Sequence, residues 1–250
     1  MQEINNLRGT VKMESQHISF TWIGFGGFYI KTSKGKDILI DSWVKNNPVC
    51  PEVIRNIEKV DYIFFTHAHR DHAEDAVWLA QKTGAVVLAG WELAFILQKR
   101  GVQNTVAINK GRTRRFGDIT VTSVHADHTA AFVDGDQLLY GGEPMGYIIK
   151  FENGKTIYHA GDTNVFGDMA LIAELYEPEI ALLPIGDVYT MPPREAAKAV
   201  RLLNVKNVIP THFGGFDFLT GRLRDLLSLL SHVHDLTVHD IKPGDSILVR

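Results

Sequence analysis

A lone cysteine, Cys50, cannot form a disulfide within the chain, so the fold must be held by its core, and nothing supports a secreted, disulfide-stapled class. Long apolar runs are also missing. No stretch approaches the roughly 20 residues of a membrane helix. The opening MQEINNLRGTVKMESQ lacks the apolar centre of a secretory signal. Neither charge sign dominates. With 26 Lys and Arg against 29 Asp and Glu, the net charge is −3, which provides no global basic field for nucleic acid. Tandem repeats, low-complexity linkers and long charge blocks are absent. These absences favour a cytoplasmic protein that acts on a small molecule, with no membrane partner and no nucleic acid expected. What remains is ordinary for a globular chain: 45% hydrophobic and 22% charged over 250 residues, enough for a sizeable core. The expectation is a single domain over residues 1–250.

The densest chemistry lies in residues 66–72, THAHRDH, where His67, His69, Asp71 and His72 fall within six positions. Residues 60–65 before it (VDYIFF) read as a buried strand, and residues 73–81 after it as a helix. In an extended segment, i and i+2 point the same way, so His67 and His69 can face one ion. Asp71 and His72, past the turn, suit a second ion beside the first. Imidazole with carboxylate suits zinc, manganese or iron(II). A polar loop whose Asp71 caps the helix is the plainer alternative. It explains one such residue better than it explains four.

The rest of the chain alternates. Residues 17–24 and 27–32 read as paired strands around a Gly-rich turn, and 37–41 (DILID) as a third strand ending in an acid. Helices are expected at 51–59, 91–99, 169–175, 193–203 and 219–230. Pro193 is well placed in a first turn, and Leu223, Leu226, Leu227 and Leu230 share one face of the last helix. Strands are expected at 85–88, 113–116, 119–125, 147–151, 156–160, 180–185 and 208–211, with a last one running to Val249. Asn153-Gly154 marks a hairpin. Two halves with this rhythm, facing each other, give helix–sheet–sheet–helix layers. Three strand ends offer further donors: His125 and His128 in HADH, Asp162 in HAGDTN, and His212 in PTHFGG. A single donor at a strand end is weak. Together with THAHRDH they suggest one shared rim.

The series HxHxDH, then His, then GDT, then His resembles the metallo-β-lactamase superfamily. Within it, the chain resembles the branch of metal-dependent hydrolases related to the phosphorylated-ascorbate lactonase. Supporting stretches include ILID (38–41), ADHT (126–129), GGEPMGY (141–147), YHAGDTN (158–164), LPIGDVYTMPPREAA (183–197) and IPTHF (209–213). The resemblance implies an α/β fold, a four-layer αββα sandwich with two mixed β-sheets flanked by helices. It implies two divalent ions, zinc first and manganese or iron as alternatives. His67, His69 and His128 would hold one ion; Asp71, His72 and His212 would hold the other, with Asp162 bridging. His125 competes with His128, and His128 is preferred because Thr129 follows it. Two departures fall near the expected rim: Phe25 follows Gly24 where relatives often carry His, and Asp187-Val188 follows the LPIG stretch. The only cysteine precedes the motif, which excludes the Cys-ligated lactamase pattern.

The implied activity is hydrolysis of a small ester, lactone or phosphodiester by a hydroxide shared between two metals. Asp71, Asp162 and His159 are expected to serve catalysis, with His159 and Arg70 supporting the ligands from behind. Lys110, Arg112, Arg114 and Arg115 read as a solvated hairpin. Trp22, Phe25, Phe28 and Trp43 read mainly as core, with a substrate groove as the alternative. Competing functions are a nuclease or cyclic-nucleotide phosphodiesterase, or a non-catalytic metal-binding scaffold. Assembly into a homo-oligomer is allowed.

Overall fold

The computed structural model describes residues 17–250, so the expected lead-in over residues 1–16 lies outside the described residues. The chain opens with β1 (Ile18–Gly24), β2 (Gly27–Lys31) and β3 (Asp37–Ile40), then α1 (Glu52–Arg55), β4 (Tyr62–Phe64), α2 (Arg70–Ala73), α3 (Ala76–Thr83), β5 (Val86–Gly90), α4 (Trp91–Lys99) and β6 (Thr105–Ile108). The second half runs β7 (Thr113–Phe116), β8 (Ile119–His125), β9 (Ala131–Asp134), β10 (Gln137–Tyr140), β11 (Met145–Lys150), β12 (Thr156–His159), α5 (Met169–Tyr176), β13 (Ile180–Pro184), α6 (Pro193–Leu203), β14 (Asn207–Thr211), α7 (Leu223–Leu230), β15 (Thr237–Val238) and β16 (Ser246–Val249).

Two seven-stranded sheets result, ordered β16-β1-β2-β3-β4-β5-β6 and β15-β14-β13-β12-β11-β8-β7. Both are mixed. In the first, β1, β2, β3 and β16 pair antiparallel and β3 to β6 parallel. In the second, β7, β8, β11 and β12 are antiparallel and β12 to β15 parallel. Short turns such as Asn153-Gly154 join the sequential antiparallel pairs, though β16–β1 and β8–β11 pair across longer separations, whereas parallel neighbours need crossovers, here mostly helical. Apolar side chains alternate accordingly. Phe20, Ile30, Ile40 and Phe64 from the first sheet meet Val121, Tyr147, Ile157 and Leu182 from the second in a central core. The opposite faces pack on helices, with Ile63, Leu79, Leu93 and Leu97 on one side and Leu183, Ala197, Val200 and Leu226 on the other. This is the expected αββα order.

Buried polar bonds join the sheets. The Tyr147 hydroxyl in β11 donates to the Phe65 carbonyl just past β4, at 2.6 Å. The Met145 amide donates to the Thr66 carbonyl at 3.1 Å.

Several boundaries differ from the sequence reading. The helix expected over 73–81 is two pieces, α2 and α3, because the Asp75 carboxylate turns away to accept the amides of Val44 (2.7 Å) and Lys45 (2.8 Å). The last helix starts at Leu223 rather than 219: the Gly221 amide is held by the Gly186 carbonyl, and Leu219 packs with Phe25 and Trp43. The helix expected over 51–59 is only the four residues of α1. Strands β6, β9, β10 and β15 are additional to the expected ones. Strands β9 and β10 form a separate two-stranded hairpin.

Candidate metal centre

One end of the sandwich collects the loops that leave β3, β4, β8, β12 and β14. The β4 exit delivers Thr66, His67 and His69, and α2 begins at once with Arg70, Asp71 and His72. Asp71 therefore lies in a first helical turn, and the N-cap position is His69, not Asp71. The β8 exit delivers His128, the β12 exit Asp162, and the β14 exit His212. Gly161, between β12 and Asp162, has φ +64°, and a Cβ there would lie 2.9 Å from Thr66 Cβ, so only glycine lets the two loops meet.

The seven side chains form two groups. Ligand atoms of His67, His69 and His128 lie within 4.8 Å of one another, as do those of Asp71, His72, Asp162 and His212. His67 Nε2 and His69 Nδ1 are 2.9 Å apart. His212 Nε2 is 3.2 Å from Oδ2 of both Asp71 and Asp162, and His72 Nε2 is 3.2 Å from Asp162 Oδ2. The same Asp162 oxygen lies 3.8 Å from His128 Nε2, in the other group. Ligands bound at 2.0–2.1 Å around a tetrahedral ion sit about 3.3 Å from each other, so this spacing fits metal coordination. Asp162 Oδ1 is also buried without a hydrogen-bond partner among the described residues, as suits a carboxylate oxygen facing a cation. All seven donors are imidazole or carboxylate, a set matched to zinc, manganese or iron rather than to softer ions.

Electrostatics differ between the groups. Burial, and then the neighbouring histidines, hold His67 well below its ordinary value. Burial followed by His128 lowers His69, and burial lowers His128. These three are neutral, the form that binds metal. In the second group burial would lower His72 and His212. The carboxylates of Asp162, Asp41 and Asp71 outweigh it for His72, which lies well above its ordinary value. Asp162 and Asp71 raise His212 to about 9. Burial works against the charges of Asp162 and Asp71 too, yet the imidazoles prevail: Asp162 falls well below the usual carboxylate range, led by His212, and Asp71 falls, led by His72. Without metal, protons bridge acids and imidazoles where a cation would fit.

Behind the donors stands Asp41, which in the sequence is only the acid that ends a strand. It is 1% exposed. It accepts the Thr66 amide (2.8 Å) and hydroxyl (2.7 Å) and lies 2.9 Å from His72 Nδ1. Thr66 Oγ1 in turn sits 3.0 Å from His67 Nδ1, so this carboxylate reaches His67 through Thr66 and lies as a negative charge beside the His72 ring. A buried acid at a strand end, paired in register with the motif strand, was the available signal. His159 is not brought in among the seven: its Nε2 donates to the Gly26 carbonyl (2.9 Å) and its Nδ1 accepts the Gly161 amide (3.1 Å). His125 is exposed at the end of β8, with its ring against Phe166 (4.8 Å) and Nδ1 near Lys110 (3.3 Å), away from both groups. Arg70 turns outward to Glu74 at 2.6 Å.

Both departures noted in the sequence lie at the rim. Phe25, at φ 51°, packs its ring against His212 (5.6 Å), Trp43 (5.0 Å) and Phe216 (5.4 Å). Trp22, Phe28 and Trp43 are buried. Asp187 accepts the Thr220 hydroxyl and the Val188 amide, both at 2.8 Å, in the loop that carries Tyr189. Above the donors a cavity of about 550 Å³ opens between this loop and the β9–β10 hairpin.

Two facing βα halves with histidines and aspartates gathered at the strand ends define the metallo-β-lactamase class. The sequence profile of the beta-lactamase superfamily domain matches residues 36–213. Within that class the chain belongs to the UPF0173 metal-dependent hydrolases. It is 49% identical over 234 residues to the one from Koribacter versatilis, covering 94% of this chain and 99% of that one. It is 44% identical over 229 residues to the one from Rubrobacter xylanophilus, covering 91% and 95%. Among solved structures it is similar to Igni18, a metallo hydrolase from the archaeon Ignicoccus hospitalis, with a TM-score of 0.82 and 29% identity over 94% of this chain and 99% of that one. The protein is a metal-dependent hydrolase. No helix among the described residues is long and apolar enough to cross a membrane.

Proposed function

We propose that the chain is one dinuclear hydrolase domain in which His67, His69 and His128 hold one divalent ion, Asp71, His72 and His212 hold a second, and Asp162 spans the two. The observation that carries this is the position of Asp162 Oδ2, 3.2 Å from the imidazole nitrogens of His72 and His212 and 3.8 Å from that of His128. Zinc suits the donors first, with manganese or iron as alternatives. Bound there, two such ions would draw the pKa of a shared water toward about 7 and polarise the bond to be cut.

The protein's own groups then have distinct tasks. Asp162, only 4% exposed in its side chain, would hold both ion positions and so orient an attacking water. Asp71, 33% exposed, is the acid of the set that reaches solvent, so it can pass a proton to the leaving group. His159 acts as a positioning residue: by tying Gly26 to Gly161 it fixes the loop that presents Asp162.

Elemental analysis of protein purified without added metal or chelator tests the reading. Near two equivalents of zinc, manganese or iron per chain are expected. Asp162→Ala should lose at least one equivalent and lower metal-dependent ester hydrolysis by roughly a hundredfold or more while keeping its fold by circular dichroism. Less than one equivalent in the parent protein, with none regained on dialysis against zinc or manganese, overturns the assignment.

A further inference from the structure

Resting on the dinuclear reading, we propose that the substrate is a neutral ester or lactone bearing an apolar acyl or aryl group, and that this group lies between the β9–β10 hairpin and the aromatic loops that carry Tyr189, Phe216 and Phe218.

The cavity over the donors has His69, Asp71, His128, Asp162 and His212 in its lining, so anything filling it meets the metal positions. One wall is the hairpin. Val133 and Leu138 are directly opposed cross-strand partners and share one face. Both line the cavity, yet Val133 is 44% and Leu138 75% exposed. The facing wall is aromatic. Phe216 and Phe218 stack at 5.1 Å, and Tyr189 meets Phe218 edge-on at 5.8 Å. These three are exposed as well. Five large apolar side chains left in water around one concave opening mark a binding surface for apolar material. The volume, about 550 Å³, suits a chain or ring of moderate size.

Charge narrows the choice. Among the described residues, Arg70 is the only lysine or arginine in the lining, and its guanidinium is engaged by Glu74, with Nε at 2.7 Å and Nη2 at 2.6 Å. The part of a substrate that extends from the metal positions into the mouth meets apolar walls and, among the described residues, no unengaged lysine or arginine, so a charged group there would lose hydration without a partner. An uncharged carbonyl compound loses nothing on that account.

The test uses metal-loaded full-length protein and p-nitrophenyl esters from acetate to decanoate, with bis(p-nitrophenyl) phosphate alongside. Calorimetric binding of acetate and octanoate runs in parallel. The expected result is a kcat/KM for octanoate at least roughly tenfold above that for acetate, with octanoate also binding more tightly. Leu138→Asp should cut that preference several-fold. Metal-dependent hydrolysis with a flat or falling series, or with the phosphate diester preferred, overturns this proposal and leaves the dinuclear reading standing. If no ester turns over, but octanoate binds more tightly than acetate and Leu138→Asp weakens that binding, the apolar subsite is supported and the hydrolytic reading is the one in difficulty. Absence of chain-length dependence in both turnover and binding, with self-association in solution that Leu138→Asp abolishes, would make the hairpin an interface between copies and also overturn the proposal.

Discussion

Asp41 lies one position beyond β3 with φ 50°, a left-handed conformation that aspartate tolerates better than most residues. That bend turns its carboxylate back to the Thr66 amide and hydroxyl and to His72 Nδ1. Asp41→Asn keeps the size and removes the charge that sets the His72 ring. We expect metal affinity to fall by roughly 10- to 100-fold, read by competition with a chromophoric chelator, with circular dichroism unchanged. Unaltered affinity would mean that the His72 ring is fixed by packing alone. THAHRDH could be read as donors because its spacing is local. Asp41 could not, because its partners lie 25 and 31 residues away and only sheet pairing brings β3 beside β4. The choice between His125 and His128 was also beyond spacing. His125 ends β8 and His128 lies three residues further on, and what separates them is the chain turning after His125, which leaves that ring on Phe166.

At the scale of elements, the Tyr147–Phe65 bond is a buried side-chain joint between the two sheets, beside the backbone bond from Met145 to Thr66. Burial pushes the Tyr147 hydroxyl well above its ordinary value, so it stays a donor at any ordinary pH. Tyr147→Phe leaves the Phe65 carbonyl buried and unpaired, and should cost about 1–2 kcal/mol, seen as a lower midpoint in urea with an unchanged slope. An unshifted midpoint would show that a water replaces the hydroxyl. Most strands and helices were legible because apolar periodicity follows the face that is buried: Trp91–Lys99 and Pro193–Leu203 match their expected bounds. The β9–β10 hairpin was not, because most of its residues stay exposed and no buried face imposes alternation. The break between α2 and α3 was hidden for another reason. The Asp75 carboxylate bonds the amides of Val44 and Lys45, about 30 residues earlier, a tertiary contact that helix propensity does not encode.

For the whole molecule, the metal-free state has a distinctive pH response. His212, at about 9, and His72, well raised, gain their stabilising pairs with Asp71 and Asp162 only when protonated. Because His212 titrates above its unfolded value of about 6.5, this contribution is complete below pH 6.5 and disappears as pH rises through 9. Protein stripped with a chelator should lose on the order of 5 °C in Tm between pH 6.5 and 9. Metal-loaded protein, in which the proposed ligands are neutral throughout, should not share that loss, and its metal affinity should rise over the same interval. Scanning calorimetry of both forms decides it; parallel curves would remove these histidines from the account.

The donors also straddle the seam between the sheets: residues 67–72 leave the first sheet, while His128, Asp162 and His212 leave the second. During synthesis the N-terminal half therefore emerges with only part of the set, and the group around His72 stays incomplete until the strand before His212 has been made. A chain halted early should be inert, rather than a fragment with loose hydrolytic activity.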